Sequence, residues 1–408
     1  MIGYPKTSTA IRRGLLCAFL ILALFIPATL EAAEGDTWIV FDCNRSGASG
    51  YWDIWKLDPD GDGSQWNDSL FGTALTKDPA NEWDPTYSKE DKRGTKQGAV
   101  VFVSDKDGYP HLYKISIDGE SYWWHLASGP GDPWADVDPC YSFDGKKIAF
   151  ASNRTGNWEI YTMTSDGQDV TRITQSFSDN RSPCFSKDGS KIYFIGNRDT
   201  GAIGDWEIYV VNSSGGTPSK AIVNSSGQPL LLDYTEHDPC CSPTDPNIIV
   251  FTTNVATPTY GEHLSEVDRI NFELFSYNFV TKDTNRLTDS WNEYWSSKDS
   301  KWVPQLWNSS MPCFSPDGER IAWSADNWTG LTWQPDNYPD GPYNPSYWKP
   351  NGGQGSVHQI WTRRLDQPDH HYWFPPSYWG YLEGEGPWPW PPGHQHHKHY
   401  NPSWDEQS

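Results

Sequence analysis

Positive charge is scarce in this sequence: 31 Lys and Arg face 53 Asp and Glu, a formal net charge of −22. Polyanion binding needs clustered cations that displace phosphate counterions, so nucleic acid is excluded as a general partner. Long apolar runs are scarce as well. The run Leu15–Ile26 is 12 residues, short of the roughly 20 that a membrane-spanning helix requires. It follows Arg12 and Arg13 and precedes Ala28, Ala32 and Ala33, the layout of a secretory signal. The expectation is a signal peptide over 1–33 and a mature chain over 34–408, secreted or periplasmic, with no membrane span after signal removal. Of seven cysteines, Cys17 falls in the signal, and the other six contain no CxxC or CxxCH. Zinc-ribbon, thioredoxin-like and c-type haem readings therefore drop out. Also missing are a Gly-x-Ser-x-Gly elbow, an HExxH helix and a phosphate loop. No residue is assigned a catalytic role.

What is abundant is aromatic and turn-forming. Aromatics make up 15% of the chain, with 24 Trp, and Gly and Pro number 35 and 32. That composition predicts an all-β protein, and internal repeats sharpen the prediction. A first strand recurs as Asp84-Pro85-Thr86-Tyr87-Ser88, Asp138-Pro139-Cys140-Tyr141-Ser142, Ser182-Pro183-Cys184-Phe185-Ser186, Asp238-Pro239-Cys240-Cys241-Ser242 and Met311-Pro312-Cys313-Phe314-Ser315. An Asp-Gly turn follows most copies. An apolar second strand comes next (Ile148-Ala149-Phe150), then a third (Trp158-Glu159-Ile160-Tyr161) and a polar fourth (Arg172-Ile173-Thr174). Four short antiparallel strands per unit define a β-propeller blade. The second and third strands occur six times, which predicts six blades. The unit at Trp38 has no first strand before it, and Asn401-Pro402-Ser403-Trp404 has the same Pro-x-aromatic spacing, so a C-terminal strand is expected to close the ring in blade 1.

Ser315-Pro316-Asp317-Gly318, Asn153-Arg154-Thr155-Gly156-Asn157 and Trp158-Glu159-Ile160-Tyr161 resemble TolB-type, WD40-like propeller repeats. The resemblance spans nearly the whole mature chain. It implies the fold and leaves function open, because such propellers serve as scaffolds, receptors and enzyme domains. It also sets an expectation that the mixed α/β domain preceding the TolB propeller is absent.

Connectivity sends the insertions 255–270, 291–308, 326–357 and 374–400 to one face, over blades five, six and one. Trp291, Trp295, Trp328, Trp333, Trp348 and Trp379 lie in them. They form either a platform for a protein or glycan partner, or a mutual packing that orders long loops. Paired acids stand where inner strands begin: Glu82/Asp84, Asp136/Asp138 and Glu236/Asp238. Two-residue spacing predicts that each pair shares one side of its strand, as a cation site or as caps of turn amides. Asp58, Asp60 and Asp62, with Gly61 and Gly63 and with Asp68 downstream, fit a calcium loop in part, or an elaborated hairpin turn; calcium is the one cofactor in view. His394, His396, His397 and His399 read as a weak metal tract or a solvated tail. The recurring cysteines read as small buried residues at blade interfaces. Sheets about 10 Å apart place equivalent cysteines beyond the roughly 7 Å Cα limit of a disulfide. The functional expectation is an exported, non-catalytic binding or scaffold propeller. The alternative is a carbohydrate-active propeller, of polysaccharide lyase or hydrolase type, with its site at the channel mouth.

Overall fold

The second strands are covered on both sheet faces in the computed structural model, which explains their lack of alternation. Ala99–Ser104 is buried throughout, and Lys147–Ser152 and Lys191–Gly196 are buried after their first lysine. The structure describes residues 38–43, 51–57, 73–91, 98–118, 124–197, 206–228, 235–254, 272–288, 291–296, 301–328, 357–364 and 371–374.

Six antiparallel sheets follow one another along the chain. The first holds β1 (Ile39–Cys43), β2 (Asp53–Leu57) and β3 (Thr73–Ala74). The second holds β4 (Glu82–Ser88), β5 (Ala99–Ser104), β6 (His111–Ser116) and β7 (Trp124–Leu126). The third holds β8 (Asp136–Tyr141), β9 (Lys147–Ser152), β10 (Glu159–Thr164) and β11 (Thr171–Arg172). The fourth holds β12 (Asn180–Phe185), β13 (Lys191–Gly196), β14 (Glu207–Asn212) and β15 (Ser219–Lys220). The fifth holds β16 (Glu236–Cys241), β17 (Ile248–Thr253), β18 (Glu273–Asn278) and β19 (Thr284–Arg286). The last holds β20 (Trp291–Ser296), β21 (Lys301–Phe314), β22 (Arg320–Trp328), β23 (Val357–Arg364) and β24 (His371–Phe374). β1 packs on β4, and the inner strands then pack in series: β4 on β8, β8 on β12, β12 on β16 and β16 on β21.

Five sheets have four or more strands, so the expected six complete blades are corrected to five, with β1–β3 as a partial sheet of three strands. The reason is the inner strand: the first unit starts on its second strand, and the tail expected to supply the first, 399–405, lies outside the described residues.

A cross-strand aromatic pair repeats in the blades. Phe102 and Tyr113, Phe150 and Tyr161, and Phe194 and Tyr209 stand opposite each other and stack at 6.2, 5.8 and 6.0 Å. Such pairs join strands two and three and fill the space between sheets. The Asp-Gly turns are as expected. Ser142 Oγ donates to Asp144 Oδ1 at 2.7 Å, and Gly145 takes φ +66°. A Cβ on Gly145 would lie 2.8 Å from the Asp91 nitrogen, so only glycine fits there.

The last blade departs from the loop picture. The 291–308 segment, expected as an insertion, is largely strand: β20 pairs with the first half of β21, Trp295 opposite Trp302 and Trp291 opposite Leu306. Leu306 also stands opposite Trp328 on β22. The other inner strands begin three residues before their proline, which corresponds here to Ser309; β21 begins at Lys301, eight residues earlier. At about 3.3 Å per residue this adds roughly 26 Å of strand.

The cysteine expectation holds in part: the described cysteines are free, and Cys184 and Cys241 are buried with Sγ atoms 3.2 Å apart, whereas Cys313 is exposed. Sheet spacing of about 10 Å holds for facing sheets and fails at the centre, where inner strands converge.

Candidate functional site at the channel mouth

Proline has no N–H for the ladder, so an inner strand carrying Pro must interrupt its pairing. All five inner strands do this at the same place. Register shifts fall between Trp83 and Thr86, Val137 and Cys140, Arg181 and Cys184, His237 and Cys240, and Ser310 and Cys313. Within each shift the residue before proline is left-handed: Asp84 at φ +50°, Asp138 at +54°, Ser182 at +47°, Asp238 at +48° and Met311 at +52°. Each such residue costs about 1–3 kcal/mol. Aspartate is among the side chains that tolerate the region best.

The cost is offset across blades. Asp138 Oδ2 accepts the Ser182 N–H at 2.9 Å, and Asp238 Oδ2 accepts the Met311 N–H at 3.1 Å. Asp42 on β1 accepts a hydrogen bond from the Asp84 backbone in the same way. A carboxylate of one sheet thus fixes the strained amide of the next. Asp138 is also held by Arg181, Nε to Oδ2 at 2.9 Å and Nη2 to Oδ1 at 3.2 Å, with the guanidinium 4.4 Å from the Trp158 ring centroid. Burial pushes Asp42 and Asp238 up to about 6. Asp84 is pushed well above the carboxylate range by burial, then by Asp138, Asp42 and Asp238, against the opposing pull of Arg181. Among the described residues, the ring therefore sets four carboxyl groups against one guanidinium.

The other member of each predicted pair belongs to the blade interfaces. Asp136 accepts Arg154 Nη2 at 2.8 and 3.0 Å and the Ser128 hydroxyl. Arg154 stacks on Trp134, Phe150 and Tyr161. Glu236 Oε2 accepts the Ile208 N–H at 2.7 Å, and burial lifts its pKa to about 8. Glu82 Oε1 accepts the Ser104 hydroxyl at 3.1 Å, and burial together with Asp78 lifts Glu82 to about 9. The structure separates what period-two spacing had joined: the register break turns Asp138 and Asp238 toward the amides of the next inner strand, while Glu82, Asp136 and Glu236 are latches. Glu159 is held within its blade by Arg172 and Thr174 and reaches the next blade through Asn180 Nδ2 at 2.9 Å, and Glu273 is held within its blade by Arg286 and Thr288.

Glu236 carries a pH prediction. Its folded pKa lies above its unfolded value of 4.5, so the native state keeps a proton the unfolded state loses. The stabilisation is complete below about pH 4.5 and is lost as pH rises toward 8, by up to about 1.4 kcal/mol per pH unit. Glu236→Gln keeps an acceptor for Ile208 without titrating. Urea denaturation at pH 5 and pH 8 should show a smaller loss for the variant than for the parent; equal losses contradict the assignment.

Arg181 and Asp42 were missed from sequence. An available signal was Arg181 at the position where other inner strands carry Trp83, Val137 and His237. Among the described residues, no group of three or more His, Cys, Asp or Glu is spaced to hold a metal ion. Asp58, Asp60, Asp62, Asp68, Trp333, Trp348, Trp379, His394, His396, His397 and His399 lie outside the described residues. The backbones of Trp291, Trp295 and Trp328 lie on the extended last blade. No helix among the described residues is long and apolar enough to cross a membrane.

Residues 131–276 match the family model described as a TolB beta propeller domain. With the four-stranded antiparallel sheets, this defines a TolB-like β-propeller. No curated protein matches the chain. Among solved structures, it is similar to TolB from Acinetobacter baumannii at 19% identity and TM-score 0.48, covering 72% of this chain and 61% of that one. The present chain thus spans less than two thirds of that relative's length. A TolB described as putative, from Agrobacterium tumefaciens, is 15% identical with TM-score 0.48, covering 75% and 84%. An oligogalacturonate lyase from Vibrio parahaemolyticus is 9% identical with TM-score 0.43, covering 71% and 83%.

Proposed function

We propose that the protein is an exported binding propeller whose acidic channel mouth receives a cationic segment of a protein partner. The observation that carries this reading is the charge imbalance of the inner ring, where, among the described residues, Asp42, Asp84, Asp138 and Asp238 are set against Arg181. Raised pKa values are the ring's own relief, by protonation. A lysine or arginine from a partner replaces those protons with a fixed charge. Connectivity supports a wider surface: inner strands begin on the face to which the aromatic insertions belong, so Trp291, Trp295 and Trp328 flank the mouth. Closure of the ring by 399–405 and a structural calcium at Asp58, Asp60 and Asp62 on the opposite face belong to the same proposal.

The test uses a fluorescent lysine-rich peptide and anisotropy at two salt concentrations. Asp84→Asn combined with Asp238→Asn keeps acceptor oxygens and removes charge. Affinity should fall by about tenfold or more in the variant, and should fall with salt in the parent. Equal binding by both proteins overturns the reading. Product release from a panel of polysaccharides would favour the carbohydrate-active alternative instead.

A further inference from the structure

Cys240 and Cys241 are consecutive on β16, so their side chains leave opposite faces of the sheet. Cys241 enters the apolar cluster that holds Cys184, Tyr193 and Ile249; Cys240 packs on the cluster of Val250, Phe314 and Ile321. One face therefore meets the β12 blade and the other the β21 blade. On the first side Cys184 Sγ and Cys241 Sγ are 3.2 Å apart. On the second, Cys240 and Cys313 hold the same place after the register shifts of β16 and β21, which pack on each other, and the Cys240 thiol interacts with that of Cys313.

We propose that these four thiols form a redox staple, closing as Cys184–Cys241 and Cys240–Cys313 disulfides that tie three successive inner strands when the protein meets an external disulfide. The inference is independent of the partner-binding reading. Cys313 is exposed, and its interaction with Cys240 holds its thiol below the usual range, so it is the first attacker. Its thiolate displaces one sulfur of the external disulfide, giving a mixed disulfide and one released thiol. Cys240 then loses its proton, attacks the Cys313 sulfur and expels the second thiol. Cys184 and Cys241 are buried and burial raises both thiols, so they consume a second equivalent by the same exchange only when the blade interface opens, and more slowly. Altogether four protein thiols and two external disulfides give two protein disulfides and four small thiols. The closed loops span sequence separations of 57 and, from 240 to 313, 73 residues, long enough to restrict the unfolded chain strongly.

The experiment treats the full chain with oxidised glutathione, then counts thiols with a maleimide after denaturation and maps linked peptides by mass spectrometry. Four thiols should disappear, with Cys184, Cys313 and the Cys240-Cys241 peptide linked together. Cys241→Ser should retain only the Cys240–Cys313 link. The melting temperature of the parent should rise by about 5 °C or more on oxidation and return with dithiothreitol. An unchanged thiol count, linkage through Cys140, or oxidation without a gain in melting temperature overturns the proposal. Mapping on the parent protein keeps the test valid even if the variant folds poorly.

Discussion

Lys114→Met should lower the unfolding free energy by about 3–5 kcal/mol, because it strands a buried carboxylate. Lys114 Nζ lies 2.7 Å from Asp91 Oδ2, with side chains 4% and 0% exposed. The ammonium also donates to the Ser165 carbonyl at 3.1 Å, and the Tyr141 hydroxyl donates to Asp91 at 2.8 Å. One ion pair thus ties β6 to β8 and to the turn after β10. Methionine fills similar volume, so the loss reports charge and not a cavity. Adding Asp91→Leu should recover most of it, since replacing both partners by apolar groups is far milder than removing one. A urea series on the parent, the single and the double variant measures this. A single variant within about 1 kcal/mol of the parent would show that the pair is of little consequence, below the range set for broken buried pairs.

Arg181→Met should destabilise by a similar amount, about 3 kcal/mol at pH 8, and by less at pH 5. Arg181 is the guanidinium that binds Asp138 and opposes the repulsion at Asp84. Without it the ring carboxyls hold protons more tightly in the native state. At pH 5 protonation relieves the stranded charge; at pH 8 the unfolded chain releases its protons freely and the native ring bears the cost. The sign is fixed: raised carboxyl pKa values give stability that drains as pH rises. Melting curves at pH 5 and 8 decide it, and a penalty independent of pH would contradict the ring assignment.

Blade structure was legible because the repeat carries its own punctuation: the apolar second strands and the Asp-Gly turns reappear where the pattern put them. The inner-ring acids were legible as residues and not as geometry. Asp84, Asp138 and Asp238 were read on an alternating strand, yet proline removes a ladder donor, and the strand answers with a left-handed residue and a register shift. That shift gives Asp136 and Asp138 different partners although they lie two residues apart. The cysteines were legible as unbridged interface residues, and what the sequence did not show is how closely converging inner strands bring Cys184 to Cys241. The 291–308 segment, read from connectivity as an insertion, carries strand over 291–296 and from 301 onward, in keeping with the strand preference of Trp and Tyr.

Calorimetric titration of the lysine-rich peptide at pH 6, in two buffers of different ionisation enthalpy, tests the central claim most directly. Asp42 and Asp238 sit at about 6, so each is partly protonated there. A cation seated in the ring lowers their pKa values and must expel protons into the buffer. The account predicts binding heats that differ between the buffers in the sense of proton release, with the difference shrinking in the Asp84→Asn, Asp238→Asn variant. Identical heats in the two buffers, with binding intact, would contradict it.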